Sequence, residues 1–115
     1  MHRPPMSSNT NFINGLPEML MLRLLARQEM YGYQLVAAIR EQSSEALTFG
    51  EGCIYPILHK LVTNGFLSSR REVVGGRPRY YYKTTAKGNR RLDSLASEWA
   101  EVVRGAQAIM EAQYV

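Results

Sequence analysis

Residues 51–88 read EGCIYPILHKLVTNGFLSSRREVVGGRPRYYYKTTAKG, from Glu51 to Gly88. The stretch divides by its periodicity. From Glu51 or Gly52 onward, Ile54, Ile57, Leu58, Leu61 and Val62 recur at the spacing of a buried helical stripe. Cys53, Tyr55, Pro56, His59, Lys60 and Thr63 fall largely on the other side. Pro56 has no N–H to donate, which predicts that it lies in the first helical turn. Asn64-Gly65 is suited to end the helix, because both residues tolerate the left-handed conformation of a C-cap. Phe66–Val73 and Arg79–Thr84 then alternate as strands, with Val74-Gly75-Gly76-Arg77-Pro78 expected as the turn between them. The expectation is a helix followed by a two-stranded hairpin.

Charge is concentrated in this hairpin and just beyond it. Arg70, Arg71, Arg77, Arg79, Lys83, Lys87, Arg90 and Arg91 stand against one acidic residue, Glu72, over residues 70–91. That segment carries +7 in a chain of net charge +4, so the rest of the chain sums to −3. Such a basic balance points to an anionic partner, nucleic acid or an anionic membrane face.

Toward the N-terminus, Gly32 to Ser43 predicts a helix with Leu35, Val36, Ala38 and Ile39 inward. Tyr31 and Tyr33 are expected as packing aromatics at its entrance. Ser43 to Gly50 forms an irregular turn region. A further helix is expected from Gly15-Leu16-Pro17 to about Arg27–Glu29. Its apolar residues cover more than half the circumference, so it must be buried on most sides. Residues 1–14 are polar and are expected to be a flexible N-terminal arm, with DNA as an alternative resting place.

Toward the C-terminus, Thr85 is a natural N-cap for a helix continuing to the end of the chain. Leu92, Leu95, Trp99, Val102, Ala106, Ile109 and Gln113 recur at alternating steps of three and four residues, broadened by Ala96, Val103 and Met110. That spacing is a coiled-coil seam. A helix of this length exceeds what three short helices can cover, so a second copy of the chain is the expected partner. Residues 15–84 are thus expected to form one unit and 85–115 a dimerisation helix.

The 115 residues suffice for one domain. A single cysteine rules out an intramolecular disulfide and suits a reducing cytoplasm, the expected location. Residues 1–15, MHRPPMSSNTNFING, lack the apolar core of a signal peptide, and no apolar run is long enough to span a bilayer. No phosphate-cradling loop or nucleophile elbow supports an enzyme. His2 and His59 are too isolated for a metal site, and no cofactor is expected. Cys53 reads as a small packing or groove-facing residue; a redox sensor would lack a resolving cysteine in this chain.

Helices followed by a basic hairpin predict a mainly α (α+β) winged helix-turn-helix that binds double-stranded DNA. Cys53, Tyr55, Pro56, His59, Lys60 and Thr63 are the expected groove-facing residues of the recognition helix. Gly75, Gly76, Arg77 and Arg79 are the expected wing contacts, since a guanidinium pairs with phosphate through two hydrogen bonds and also suits a narrow minor groove. An architectural module that uses the wing only electrostatically is the alternative.

The consecutive motifs Ile54-Tyr55-Pro56-Ile57-Leu58-His59-Lys60-Leu61, Asn64-Gly65-Phe66-Leu67, Gly76-Arg77-Pro78-Arg79-Tyr80-Tyr81-Tyr82 and Thr85-Ala86-Lys87-Gly88 resemble those of PadR-family transcriptional regulators. Tyr31-Gly32-Tyr33-Gln34-Leu35 matches as well. The resemblance covers roughly residues 16–115, and the single C-terminal helix is similar to the small subfamily. It implies a homodimeric winged-helix repressor whose C-terminal helices pack against the partner. Thr84 departs from the aliphatic residue usual there, which predicts a looser strand-to-helix junction. Trp99 is either a packing residue of the seam or, as the resemblance to small multidrug sensors implies, a stacking surface for a planar aromatic ligand.

Overall fold

The computed structural model describes residues 15–113. Its elements run α1 (Leu16–Arg27), β1 (Met30–Tyr31), α2 (Gly32–Gln42), α3 (Glu51–Thr63), β2 (Leu67–Val74), β3 (Arg77–Thr84) and α4 (Ala86–Met110). The expected N-terminal arm, residues 1–14, lies outside the described residues.

The helix α1 is the centre of the core. Met19, Met21, Leu22, Leu24 and Leu25 are all buried, so most of its circumference is covered, as its apolar pattern requires. Leu35 and Ile39 from α2, Ile54, Leu58 and Leu61 from α3, and Leu67 and Tyr82 from the sheet pack around it. Leu92 and Leu95 close the cluster from α4.

The three helices α1 to α3 and the β2–β3 hairpin form the winged helix-turn-helix. The sheet has one strand more than the sequence suggests. Met30 and Tyr31 pair antiparallel with Tyr82 and Tyr81, giving the order β1-β3-β2. A two-residue strand is too short for any alternation to reveal it. The hairpin turn is also tighter than expected. Only Gly75 and Gly76 connect the strands, and Val74 already faces Arg77 in register. Both glycines take positive φ, +59° and +79°, the two-residue turn whose twist matches that of the flanking strands. Arg77 and Pro78 are therefore strand residues.

Helix α3 ends in a complete Schellman arrangement. The Phe66 N–H donates to the Leu61 carbonyl at 2.9 Å and the Gly65 N–H to the Val62 carbonyl at 3.0 Å, with Gly65 at φ +81°. Pro56 is the sixth residue of α3, in its second turn, and not in the first as its missing N–H suggests. It lies on the exposed side.

The junction between β3 and α4 is held at several points. The buried Thr84 hydroxyl donates to the Leu22 carbonyl at 2.9 Å, tying β3 to α1. Its departure from an aliphatic residue therefore adds an anchor here and does not loosen the junction. Thr85 accepts from the Gly88 N–H at 3.0 Å as N-cap and donates to the Gly65 carbonyl at 2.7 Å. The Lys87 ammonium donates to the Asn64 carbonyl at 2.8 Å, so the base of α4 caps the end of α3.

Beyond Leu95, α4 leaves the core. It ends at Met110, so the last expected seam position, Gln113, lies past the helix. Twenty-five residues make it about 37 Å long, and the described chain extends 63 Å along its longest axis.

Candidate nucleic-acid interface

The outward face of α3 carries five of its six expected contact residues. Cys53, Pro56, His59, Lys60 and Thr63 are exposed. The sixth, Tyr55, is not a free groove-facing residue. It is half-buried, and its ring lies against Gly32 so closely that a β-carbon there would collide with it. Burial raises the Tyr55 hydroxyl above its ordinary pKa, with a smaller contribution from Glu51. Tyr55 thus joins α3 to the start of α2. By contrast, Tyr33, expected to pack at that entrance, is 62% exposed.

Strand register divides the wing into two faces. Leu67, Ser69, Arg71 and Val73 of β2 stand opposite Thr84, Tyr82, Tyr80 and Pro78 of β3 on one face. This face opens onto α3: Ser69, Tyr80 and Tyr82 line a groove of about 390 Å³ with His59, Val62 and Thr63. The other face carries Ser68, Arg70, Glu72 and Val74 opposite Lys83, Tyr81, Arg79 and Arg77.

Two of the cations on that second face, Arg70 and Arg79, are engaged within the chain. Arg70 makes two hydrogen bonds to the Glu29 carboxylate, both at 2.8 Å, and a third to Glu72 at 2.6 Å. Its guanidinium also lies 4.7 Å from the centre of the Tyr81 ring. The Arg70 hydrogen bond holds the Glu29 carboxyl below its ordinary range, and the Arg70 guanidinium is held correspondingly more firmly protonated, by Glu29 first and Glu72 second. Arg79 stacks at 4.1 Å over the Tyr31 ring, which meets Tyr81 edge-on at 5.6 Å. Arg79, one of the expected wing contacts, thus lays its planar group over an aromatic face of the α1–α2 connection.

Elsewhere in the basic run, Arg91 pairs with Glu18 at 2.9 Å, and Lys87 caps α3 as described. Among the described residues, Arg71, Arg77, Lys83 and Arg90 make no ion pair or side-chain hydrogen bond. Arg71 is an exposed wing cation that sequence reasoning did not single out. The signal was present: reading Gly75-Gly76 as a two-residue turn sets the register and places Arg71 beside Tyr80 on the α3-facing side.

The C-terminal seam also divides. Leu92 and Leu95, expected at a dimer interface, are buried in this chain's own core. From there the stripe emerges: Trp99 is 41% exposed, Val102 and Val103 are half-buried, and Ala106, Ile109 (78%) and Met110 (81%) are exposed. Among the described residues no helix is long and apolar enough to cross a membrane. No group of three or more His, Cys, Asp or Glu side chains among them could hold a metal ion.

Comparison with known proteins agrees with this geometry. Residues 21–94 match the transcriptional regulator PadR-like family. The transcriptional regulator Rv3488 of Mycobacterium tuberculosis is 35% identical over 80 residues, 64% of this chain and 72% of that protein. The crystal structure of a PadR-family transcriptional regulator from Eggerthella lenta aligns at a TM-score of 0.71 and 28% identity, over 95% of this chain and 89% of that one. A transcriptional regulator from Clostridium thermocellum shares the fold at a TM-score of 0.77 and 24% identity, over 89% of this chain and 99% of that one. With a helix-turn-helix, a basic wing and a family match over most of its length, the chain belongs to the PadR-like family of transcriptional regulators.

Proposed function

We propose that the protein is a homodimeric repressor that binds a two-fold DNA operator. The observation that carries the reading is the pairing of an exposed α3 face with an uncovered apolar stripe on α4. The α3 face, Pro56, His59, Lys60 and Thr63, stands beside the wing groove and suits the major groove, about 12 Å wide. The stripe, Trp99 to Met110, is too apolar to be left to solvent along a helix of this length. Pairing two copies along it presents two recognition helices, and half-sites about one helical turn apart follow from that symmetry.

Mobility-shift titration against genomic fragments, with the mass of the complex measured alongside, tests this directly. A sequence-preferred fragment bound by two chains is the expected result. Binding without any preferred fragment favours an architectural module, and one chain per site removes the dimer.

A second reading concerns release. Trp99, 41% exposed, lies on the same stripe as Val102, so planar aromatic compounds could stack there in a pair of chains. Quenching of Trp99 fluorescence by such a compound at micromolar concentration, with loss of operator binding, is the expected signature.

A further inference from the structure

We propose that Arg71, flanked by Tyr80, is the wing's base-reading residue and inserts into the minor groove beside each half-site. This deepens the operator-binding reading and rests on it.

The wing cations differ in what already holds them. Arg70 is committed to Glu29 and Glu72, and Arg79 to the face of Tyr31. Both lie on the wing face that also carries Arg77 and Lys83. Freeing Arg70 would leave two carboxylates without their partner. Arg71 alternates to the opposite face, the one that shares a groove with His59 and Thr63 of α3. It is the only charged residue of either strand on that face. It is exposed and makes no ion pair or side-chain hydrogen bond among the described residues.

Its neighbours suit a minor-groove approach. The register partner of Arg71 is Tyr80, 50% exposed, and the next pair toward the tip is Val73 with Pro78, both exposed. A guanidinium backed by an aromatic ring and an apolar tip can enter a narrow groove, where the negative potential is greatest and phosphate spacing is tightest. Arg77, beside the turn on the other face, is placed for a phosphate. Narrow minor grooves belong to A·T-rich steps, and the exocyclic amino group of guanine obstructs the floor of the groove. The wing should therefore prefer A·T where it crosses the flank, independently of what α3 reads.

The test uses the full-length protein and the operator fragment selected above. Flank positions are varied among A·T, G·C and inosine·C, which has the major-groove face of G·C and lacks the minor-groove amino group. Wild-type protein should bind A·T and inosine·C flanks alike, and G·C about tenfold more weakly. Arg71→Ala should bind all three within about twofold of one another. Arg79→Ala and Arg77→Ala should keep the discrimination. Far-UV circular dichroism and mass of the Arg71→Ala variant should match wild type, because the side chain holds nothing in the fold.

Several outcomes overturn the assignment while leaving the operator reading intact. They are wild-type binding that treats inosine·C as G·C, flank-indifferent wild-type binding, or Arg71→Ala retaining the preference. A wild-type protein that selects no fragment overturns both.

Discussion

Gly88 sits on the carbonyl of Phe66 so closely that a β-carbon at residue 88 would overlap that oxygen. The obstacle is backbone, and the same carbonyl accepts the Thr85 N–H at 3.1 Å, so it cannot turn away without opening the junction. Gly88→Ala should therefore destabilise the fold by about 3 kcal/mol or more. Gly32→Ala meets only the Tyr55 ring, which can rotate, and should cost roughly 1–2 kcal/mol. Urea denaturation of the two variants checks the order.

Thr84→Val keeps the shape of the side chain and removes the hydroxyl donated to the Leu22 carbonyl at 2.9 Å. That carbonyl retains its helical partner, so the loss is one net hydrogen bond, about 1 kcal/mol. A matching drop in denaturation free energy is expected. A stabilised variant would mean that the hydroxyl is tolerated and holds nothing.

Acidification should loosen the wing anchor in a defined sense. Arg70 lowers the Glu29 carboxyl below the ordinary 4.5, so the folded form binds its proton later than the unfolded chain. The contribution is fully present above pH 4.5 and is lost as pH falls through the lowered folded value. Arg70 is exposed and Glu29 partly so, so the effect is modest and screened by salt. Melting temperatures of wild type and Glu29→Gln should differ at neutral pH and converge below that window.

For the proposed dimer, Val102→Asp with Ile109→Asp places charge on the uncovered stripe while leaving Leu92 and Leu95 in the core. Light scattering after size exclusion should report a monomer with unchanged helical content. Operator affinity should fall at least tenfold, because one half-site no longer brings the other.

Most of the architecture was legible because it rests on local chemistry. The stripe of Ile54, Leu58 and Leu61, the Asn64-Gly65 stop and the Thr85 cap each declare themselves within a few residues. What escaped depends on contacts distant in sequence. The strand Met30–Tyr31 exists because β3 offers it an edge, and nothing in two residues announces that. Tyr55 has the helical phase of an outward residue, yet Gly32 leaves space for its ring to fold back. The stacking of Arg79 on Tyr31 was hidden because the two residues lie 48 positions apart in the chain. Leu92 and Leu95 continue the spacing of the exposed stripe, and only packing against α1 separates them from it. Charge counting likewise could not tell Arg70, held by Glu29, from its neighbour Arg71.

The short bonds from Thr85 to Gly65 and from Lys87 to Asn64 tie the end of α3 to the base of α4. Helix α4 is about 37 Å long, so a change of about five degrees in how two such helices cross moves their bases by roughly 3 Å. The rise of duplex DNA is about 3.4 Å per base pair. In the proposed dimer, the crossing angle at the far end of α4 is thus a ruler for half-site spacing, and a few degrees there amount to one base pair.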